Sequence, residues 1–229
     1  MTFTPAFWEI VRLSLQIATV ATLAALPLAI AVAWVLARKR FWGHGLLNGL
    51  VHLPLVLPPV VTGYLLLIVF GRQGAVGAVL YDWFGITLAF RWTGAALAAG
   101  IMAFPLMVRA IRLGLEAVDK GTEDAAATLG ARPARVFRTV TLPLIAPGVL
   151  AGAVLGFAKA LGEFGATITF VAAIPGQTQT IPSAIYGLLQ VPGEEGAVVA
   201  LVVVSVVLAM GAVIISEWLS RRMMRRVQA

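Results

Sequence analysis

Lys159 and Glu163 are the only ionisable residues set deep inside an apolar stretch of this chain, and they stand four positions apart. On a helix that spacing brings an ammonium and a carboxylate together. Charges within a membrane span are costly and are paired or functional. The pair therefore reads either as a neutralised structural bridge or as a charge lining a polar path. Thr62, Thr167, Thr169 and Ser183 add hydroxyls that could donate to a polar solute on such a path. Within helices such hydroxyls more often bond back to the preceding turn. The remaining inventory is mostly exclusion. There is no cysteine, hence no disulfide, thiol chemistry or cysteine-held metal. His44 and His52 have no carboxylate nearby, which argues for interfacial solvation over a metal site. No lysine follows a glycine, so the phosphate-binding loop of an ATPase is missing. No catalytic residue and no metal ligand is assigned.

A second cluster has a different chemistry. Glu123-Asp124-Ala125-Ala126-Ala127-Thr128-Leu129-Gly130, with Leu142-Pro143 downstream, is a charged, alanine-rich unit in an otherwise apolar chain. Thr122 is the expected N-cap, with the acidic pair in the first turn where it suits the helix dipole. Gly130 is the expected left-handed stop, and Pro133 opens a second short helix. Arg135, Val136, Phe137 and Arg138 then lead into the next apolar stretch. The expectation is two short helices lying parallel to the membrane face around a tight glycine bend. Alanines leave a flat surface for another protein's groove, and Phe137 offers an apolar anchor. The competing reading is an amphipathic loop lying on lipid headgroups.

The elements that hold these clusters are membrane spans. Hydrophobic residues make up 60% of the chain and charged ones 12%, with a mean hydropathy of +0.96. Soluble domains carry about 25% charged residues. Five stretches are long enough to cross as helices, in which every backbone group is paired. They run over about 11–37 (interrupted by Pro27), 51–70 (kinked or interrupted by Pro54, Pro58 and Pro59), 93–111, from 144 to an end between 161 and 173, and 197–218. A short interfacial helix is expected over 182–190, after an external turn. Gly148, Gly152, Gly156 and Ala160 recur every four residues on the fourth span, as a packing seam or a sliding surface. The length fits a single transmembrane domain, 1–229, with the charged loop at about 116–143.

Charge orients the spans. Arg38, Lys39 and Arg40 follow the first. Arg109, Arg112, Lys120, Arg132, Arg135 and Arg138 surround the loop between the third and fourth, and Arg221, Arg222, Arg225 and Arg226 follow the fifth. Five alternating spans put all three groups on one side, the cytoplasm by the positive-inside rule. The N-terminus is then outside and the C-terminus inside. The early residues lack a basic region, with Arg12 alone, so no cleavable signal peptide is expected. A nucleic-acid reading of the +7 net charge fails, because no basic stripe is interleaved with aromatics.

Asp124-Ala125-Ala126, Gly130, Val140 and Leu142-Pro143 together resemble the cytoplasmic signature of inner-membrane permease subunits of bacterial binding-protein-dependent ABC importers. The departures are Asp for Glu, with Glu123 adjacent, and Val for Ile. His52-Leu53-Pro54-Leu55-Val56-Leu57-Pro58-Pro59, Phe104-Pro105-Leu106-Met107-Val108-Arg109 and Leu161-Gly162-Glu163-Phe164-Gly165-Ala166-Thr167 look like stretches of molybdate permeases. The core Gly162-Glu163-Phe164-Gly165-Ala166 is shared with sulfate/thiosulfate permeases. The resemblance extends over about 8–218. It implies the all-α small ABC-importer permease fold in the bacterial inner membrane. It also implies that residues 123–143 couple the chain to an ATPase. By the same resemblance the chain works as a homodimer with two cytoplasmic ATPases, which hold ATP and magnesium, and an external oxyanion-binding protein. The chain itself then needs no cofactor. The substrate would be molybdate, and tungstate with it; sulfate or thiosulfate is the alternative. Two other classes compete. An ion-driven carrier or channel acting alone would need more intramembrane carboxylates than Glu163, or an inverted repeat. An intramembrane enzyme would need a buried nucleophile–base pair or metal ligands.

Overall fold

The computed structural model describes the backbone of residues 4–227, and the side chains through residue 219 except Ser216. The side chains of Arg221, Arg222, Arg225 and Arg226, which orient the fifth span, lie outside the described residues. Most of the described residues are helical, with no strand among them.

Helix α1 (Pro5–Arg38) begins where the hydroxyl of Thr4 accepts from the amide of Phe7, with proline at its first position. The interruption expected at Pro27 does not occur; the helix runs through it. A lost backbone bond is tolerated in a span when neighbouring helices enclose the gap. The second expected span is not straight. It is two helices, α2 (His44–Val56) and α3 (Pro59–Phe70), which meet at 113°. Leu57 and Pro58 each precede a proline and take extended backbone (ψ 144° and 134°), because the proline ring excludes the helical conformation from the residue before it. Pro54, inside α2, breaks nothing. At about 1.5 Å per residue neither half alone spans a bilayer, so the bent pair counts as one span. Among the described residues four helices are each long and apolar enough to cross, and the bent pair taken as one span makes five.

Helix α4 (Ala75–Phe84) is short and apolar. Helix α5 (Trp92–Ala117) is the axis of the fold. Ala95, Ala98, Ala99, Ala103, Met107, Val108, Ile111 and Leu115 are wholly buried. Its alanines let α1 close on one side, while α8 (Leu142–Leu161) closes on the other. The glycine seam of α8 is spent here. A Cβ on Gly148 would lie 3.2 Å from Gly114 Cα, one on Gly152 3.1 Å from Ile111 Cγ1, and one on Gly156 2.6 Å from Met107 Sδ. The repeat is thus an antiparallel packing seam within one chain.

Helix α6 (Lys120–Thr128) stands apart from the bundle core. The second short helix does not: α7 (Pro133–Val136) passes through a π-helical turn (Phe137–Thr141) directly into α8, one helix from Pro133 to Leu161. Pro143 has no N–H to give the turn before it, and the wider turn sits at that place. Only half of the expected hairpin is therefore a free-standing element. Beyond Leu161 the span breaks at Gly162 and resumes as a separate helix, α9 (Gly165–Val171), which packs on α3. A Cβ on Gly63 would meet Ala166 O at 2.5 Å, so α3 and α9 touch backbone to backbone. The short helix expected at 182–190 is α10 (Ile181–Leu188). It is less peripheral than expected, since Ile181 and Ala184 are buried with Phe7, Val11 and Leu201. Helix α11 (Glu195–Val227) covers little of the core and leaves a row of exposed valines and isoleucines.

Candidate functional site

Helix α6 is built by its caps. The N-cap is Asp119, one turn earlier than the expected Thr122; its carboxylate accepts from the amide of Gly121 at 2.9 Å. At the other end Gly130 has φ +84°, and the amides of Gly130 and Ala131 donate to the carbonyls of Ala127 and Ala126. This crossed pair of bonds is the Schellman closure that a left-handed residue permits.

The faces of the unit are unequal. Asp124, Ala125, Gly130, Arg135 and Pro143 are exposed, whereas Ala126, Phe137 and Leu142 are partly buried. The continuous helix turns Phe137, the expected apolar anchor, partly inward. Leu129, 89% exposed, is instead the apolar side chain the unit offers. Glu123 is not on the offered surface. One carboxylate oxygen accepts from Arg38 Nη2 at 3.1 Å and from Thr141 Oγ1 at 2.7 Å. It ties α6 to the end of α1 and to the base of α8. No local pattern signals this tie, because its partners lie 85 and 18 residues away.

Inside the bundle, Lys159 Nζ donates to Glu163 Oε2 at 2.7 Å. Glu163 is buried, and its other oxygen accepts from the amide of Ala166 in the first turn of α9 at 3.1 Å. Lys159 keeps 30% of its side chain exposed. The carboxylate bridges the break between α8 and α9, held from both sides, as the structural reading of the pair requires. Three of the four hydroxyls are consumed locally. Thr167 donates to Phe164 O, Thr169 to Gly165 O, and Ser183 to Thr180 O in a capping box. Thr62, buried on α3, has no hydrogen-bond partner. Thr62 on α3 and Thr167 and Thr169 on α9 stand on two helices that pack directly on each other, next to Glu163. The histidines also bond locally, His44 to Leu36 O and His52 to Asn48 O.

A family model described as "Binding-protein-dependent transport system inner membrane component" matches residues 25–225. The chain belongs to this family. As such a component it resides in the inner membrane as part of a transport system. The match takes in α6, the Gly130 turn and the ion pair. The chain is 58% identical over 221 residues to the "Molybdenum transport system permease protein ModB" of Escherichia coli (strain K12), covering 96% of each. It is 38% identical over 174 residues to the "Sulfate transport system permease protein CysW" of Synechococcus elongatus, covering 76% of this chain and 60% of that one. Among solved structures, the inward-facing MetNI methionine ABC transporter matches with a TM-score of 0.74 at 16% identity, covering 97% of this chain and 99% of that one. The family component therefore has the fold of an ABC-importer permease.

Proposed function

We propose that this chain is the membrane-spanning permease subunit of an ATP-driven molybdate importer. The observation that carries the reading is 58% identity, over nearly the whole of both chains, to a molybdenum transport permease. Two copies would enclose the path between them, since five helices make a thin wall for a polar solute. Two cytoplasmic ATPase subunits would hold ATP and magnesium, and an external binding protein would deliver the oxyanion. The subunit itself is non-catalytic in this reading.

The mechanism follows from where α6 is anchored. Its exposed face, with Asp124, Ala125 and Leu129, seats in the ATPase. When ATP draws the two ATPases together, α6 moves, and Glu123 passes that displacement to α1 through Arg38 and to α8 through Thr141. Helix α8 is packed rigidly on α5, so the core tilts as a unit and exposes the path to alternate sides. Glu163 holds α9 against the top of α8 during that motion. Thr62 is the one hydroxyl of the four without a local partner, and it would meet the oxyanion only when the motion uncovers it.

The test is ATP-dependent uptake of labelled molybdate and sulfate into vesicles holding the chain with its ATPase and binding protein, each repeated with Gly130→Pro. Molybdate uptake that collapses in the variant is the expected result. Uptake of sulfate alone would favour the second reading, which the shared Gly162–Ala166 core and the sulfate permease relative support. Uptake indifferent to ATP would overturn the importer.

A further inference from the structure

Two cavities lie end to end between α1, α2 and α5. One, of about 680 Å³, is apolar, and its walls include Val20, Leu28 and Val32 of α1, Leu50 of α2, and Leu97 and Phe104 of α5. The other, of about 690 Å³, lies further along the same three helices toward α6: from Leu36 on α1, at His44 of α2, and, two turns beyond Phe104, at Arg112 of α5. Its walls carry Arg38, Lys39, Arg40, Arg112, Lys120 and Glu116; with Arg38 paired to Glu123 from outside the lining, Lys39, Arg40 and Lys120 are the excess cations. Glu116 is already engaged by Arg112 at 2.7 Å. Arg38 is nine-tenths buried, and its Nε has no hydrogen-bond partner. Beside this mouth Trp42 is fully exposed and Lys39 lies over the ring of Trp34 at 5.3 Å. Aromatic rings mark the headgroup level of a bilayer.

We propose that these cavities form one site for an anionic phospholipid of the leaflet that faces α6, its phosphate in the basic cavity and an acyl chain along the apolar groove. The charge requires an anion and the groove requires a hydrocarbon chain, and this lipid supplies both on one molecule. A free oxyanion would fill only the basic end. A second copy of the chain would bring its own basic cluster to the same level, because both copies share one orientation in the membrane, and so supplies no countercharge. The lipid would also bear on coupling, since Arg38 lines the site and bonds Glu123 of α6. The proposal is independent of which oxyanion is carried, and its test involves no transport.

The chain has no cysteine, so Leu28→Cys provides a single attachment point for a bimane fluorophore in the apolar groove. The assembled complex in nanodiscs is titrated with dibrominated phosphatidylglycerol or dibrominated phosphatidylcholine, and quenching is read. Stronger quenching by phosphatidylglycerol is expected. Each cation near a membrane surface changes such affinity about fivefold, so Arg40→Gln with Lys120→Gln should cut the preference by at least that factor. Equal quenching by both lipids, or a preference unchanged in the double variant, overturns the site. So does absence of quenching by either, with cross-linking from position 28 to a second copy. A thermal scan of the complex with phosphatidylglycerol and with inorganic phosphate separates the sources: stabilisation by the lipid alone supports the proposal, and equal stabilisation by phosphate replaces it with a soluble-anion site.

Discussion

The carboxylate of Glu123 accepts the hydroxyl of Thr141 at 2.7 Å, and so fastens the exposed helix α6 to the base of the span α8. The same oxygen holds Arg38 at the end of α1. An acidic residue in the first turn of a helix commonly answers the helix dipole. Here it is a three-way joint.

Glu123→Ala should therefore uncouple the unit. It strips two donors of their acceptor and leaves the Arg38 guanidinium with a 3.4 Å contact to Val118 O. Hydrogen bonds to charged groups are worth about 1.5–3 kcal/mol, and both donors, Arg38 and Thr141, are largely buried. Uptake should fall severalfold while ATP hydrolysis by the assembled complex continues. Equal uptake in variant and parent would remove Glu123 from the coupling route.

Gly130 tests the turn rather than the surface. Its φ of +84° costs an ordinary L-residue about 1–2 kcal/mol, and Asn least. A Cβ at this position would have nothing within 4 Å, so the penalty is conformational and not steric. Gly130→Asn should keep most uptake and Gly130→Val should lose most of it. Parity of the two variants would mean that the bend can re-form without a left-handed residue.

The glycines of α8 should differ in tolerance. Gly148 faces Gly114 backbone, which cannot retreat, whereas Gly156 faces the flexible end of Met107. Overpacking costs about 1–3 kcal/mol. Gly148→Val should depress the yield and melting temperature of the complex, and Gly156→Ala should be mild. The reverse ranking would show that α5 and α8 slide.

The ion pair should behave as a buried bridge. Lys159→Met leaves the Glu163 charge unpartnered, a loss of about 3–5 kcal/mol in fully buried pairs and less here, where Lys159 is 30% exposed. The double variant Lys159→Met with Glu163→Gln should recover stability, because the Gln carbonyl can still accept from Ala166. Uptake by the double variant then decides the rest: normal uptake means the pair serves the α8–α9 break alone, and lost uptake with normal assembly gives it a place on the path.

Sidedness can be read directly in the cysteine-free chain. Single cysteines at Trp42 and Trp83, both well exposed, should be labelled by an impermeant maleimide from opposite faces of the membrane. Labelling from one face would make the bent α2–α3 pair re-entrant and break the agreement of the basic clusters on one side.

Much of this is legible in the chain as written. Apolar length gives the spans, since lipid admits few alternatives to a helix. The Pro58-Pro59 break and the Gly130 stop are local backbone chemistry, read from one or two residues. The i, i+4 pairing of Lys159 with Glu163 is likewise a short-range matter. Windows of this kind cannot tell where a helix leads once it leaves them. The charged loop reads as two surface helices because its signals end at Leu142-Pro143, and nothing in them shows that the second is the foot of α8. Pro27 reads as an interruption because its neighbours in space are not visible in its neighbours in sequence.

The sequence alone thus determined that the chain lives in a membrane, which end of the bundle is basic, and which residues turn or break the backbone. The tertiary structure decided the rest. It made α5 the axis, set the glycine stripe of α8 against it, pressed α3 onto α9, and aimed Glu123 at Arg38 and Thr141. The Glu123 joint depends on contacts between residues 18 and 85 positions apart. Such contacts arise only when packing brings distant surfaces together, and no periodicity or local propensity encodes them.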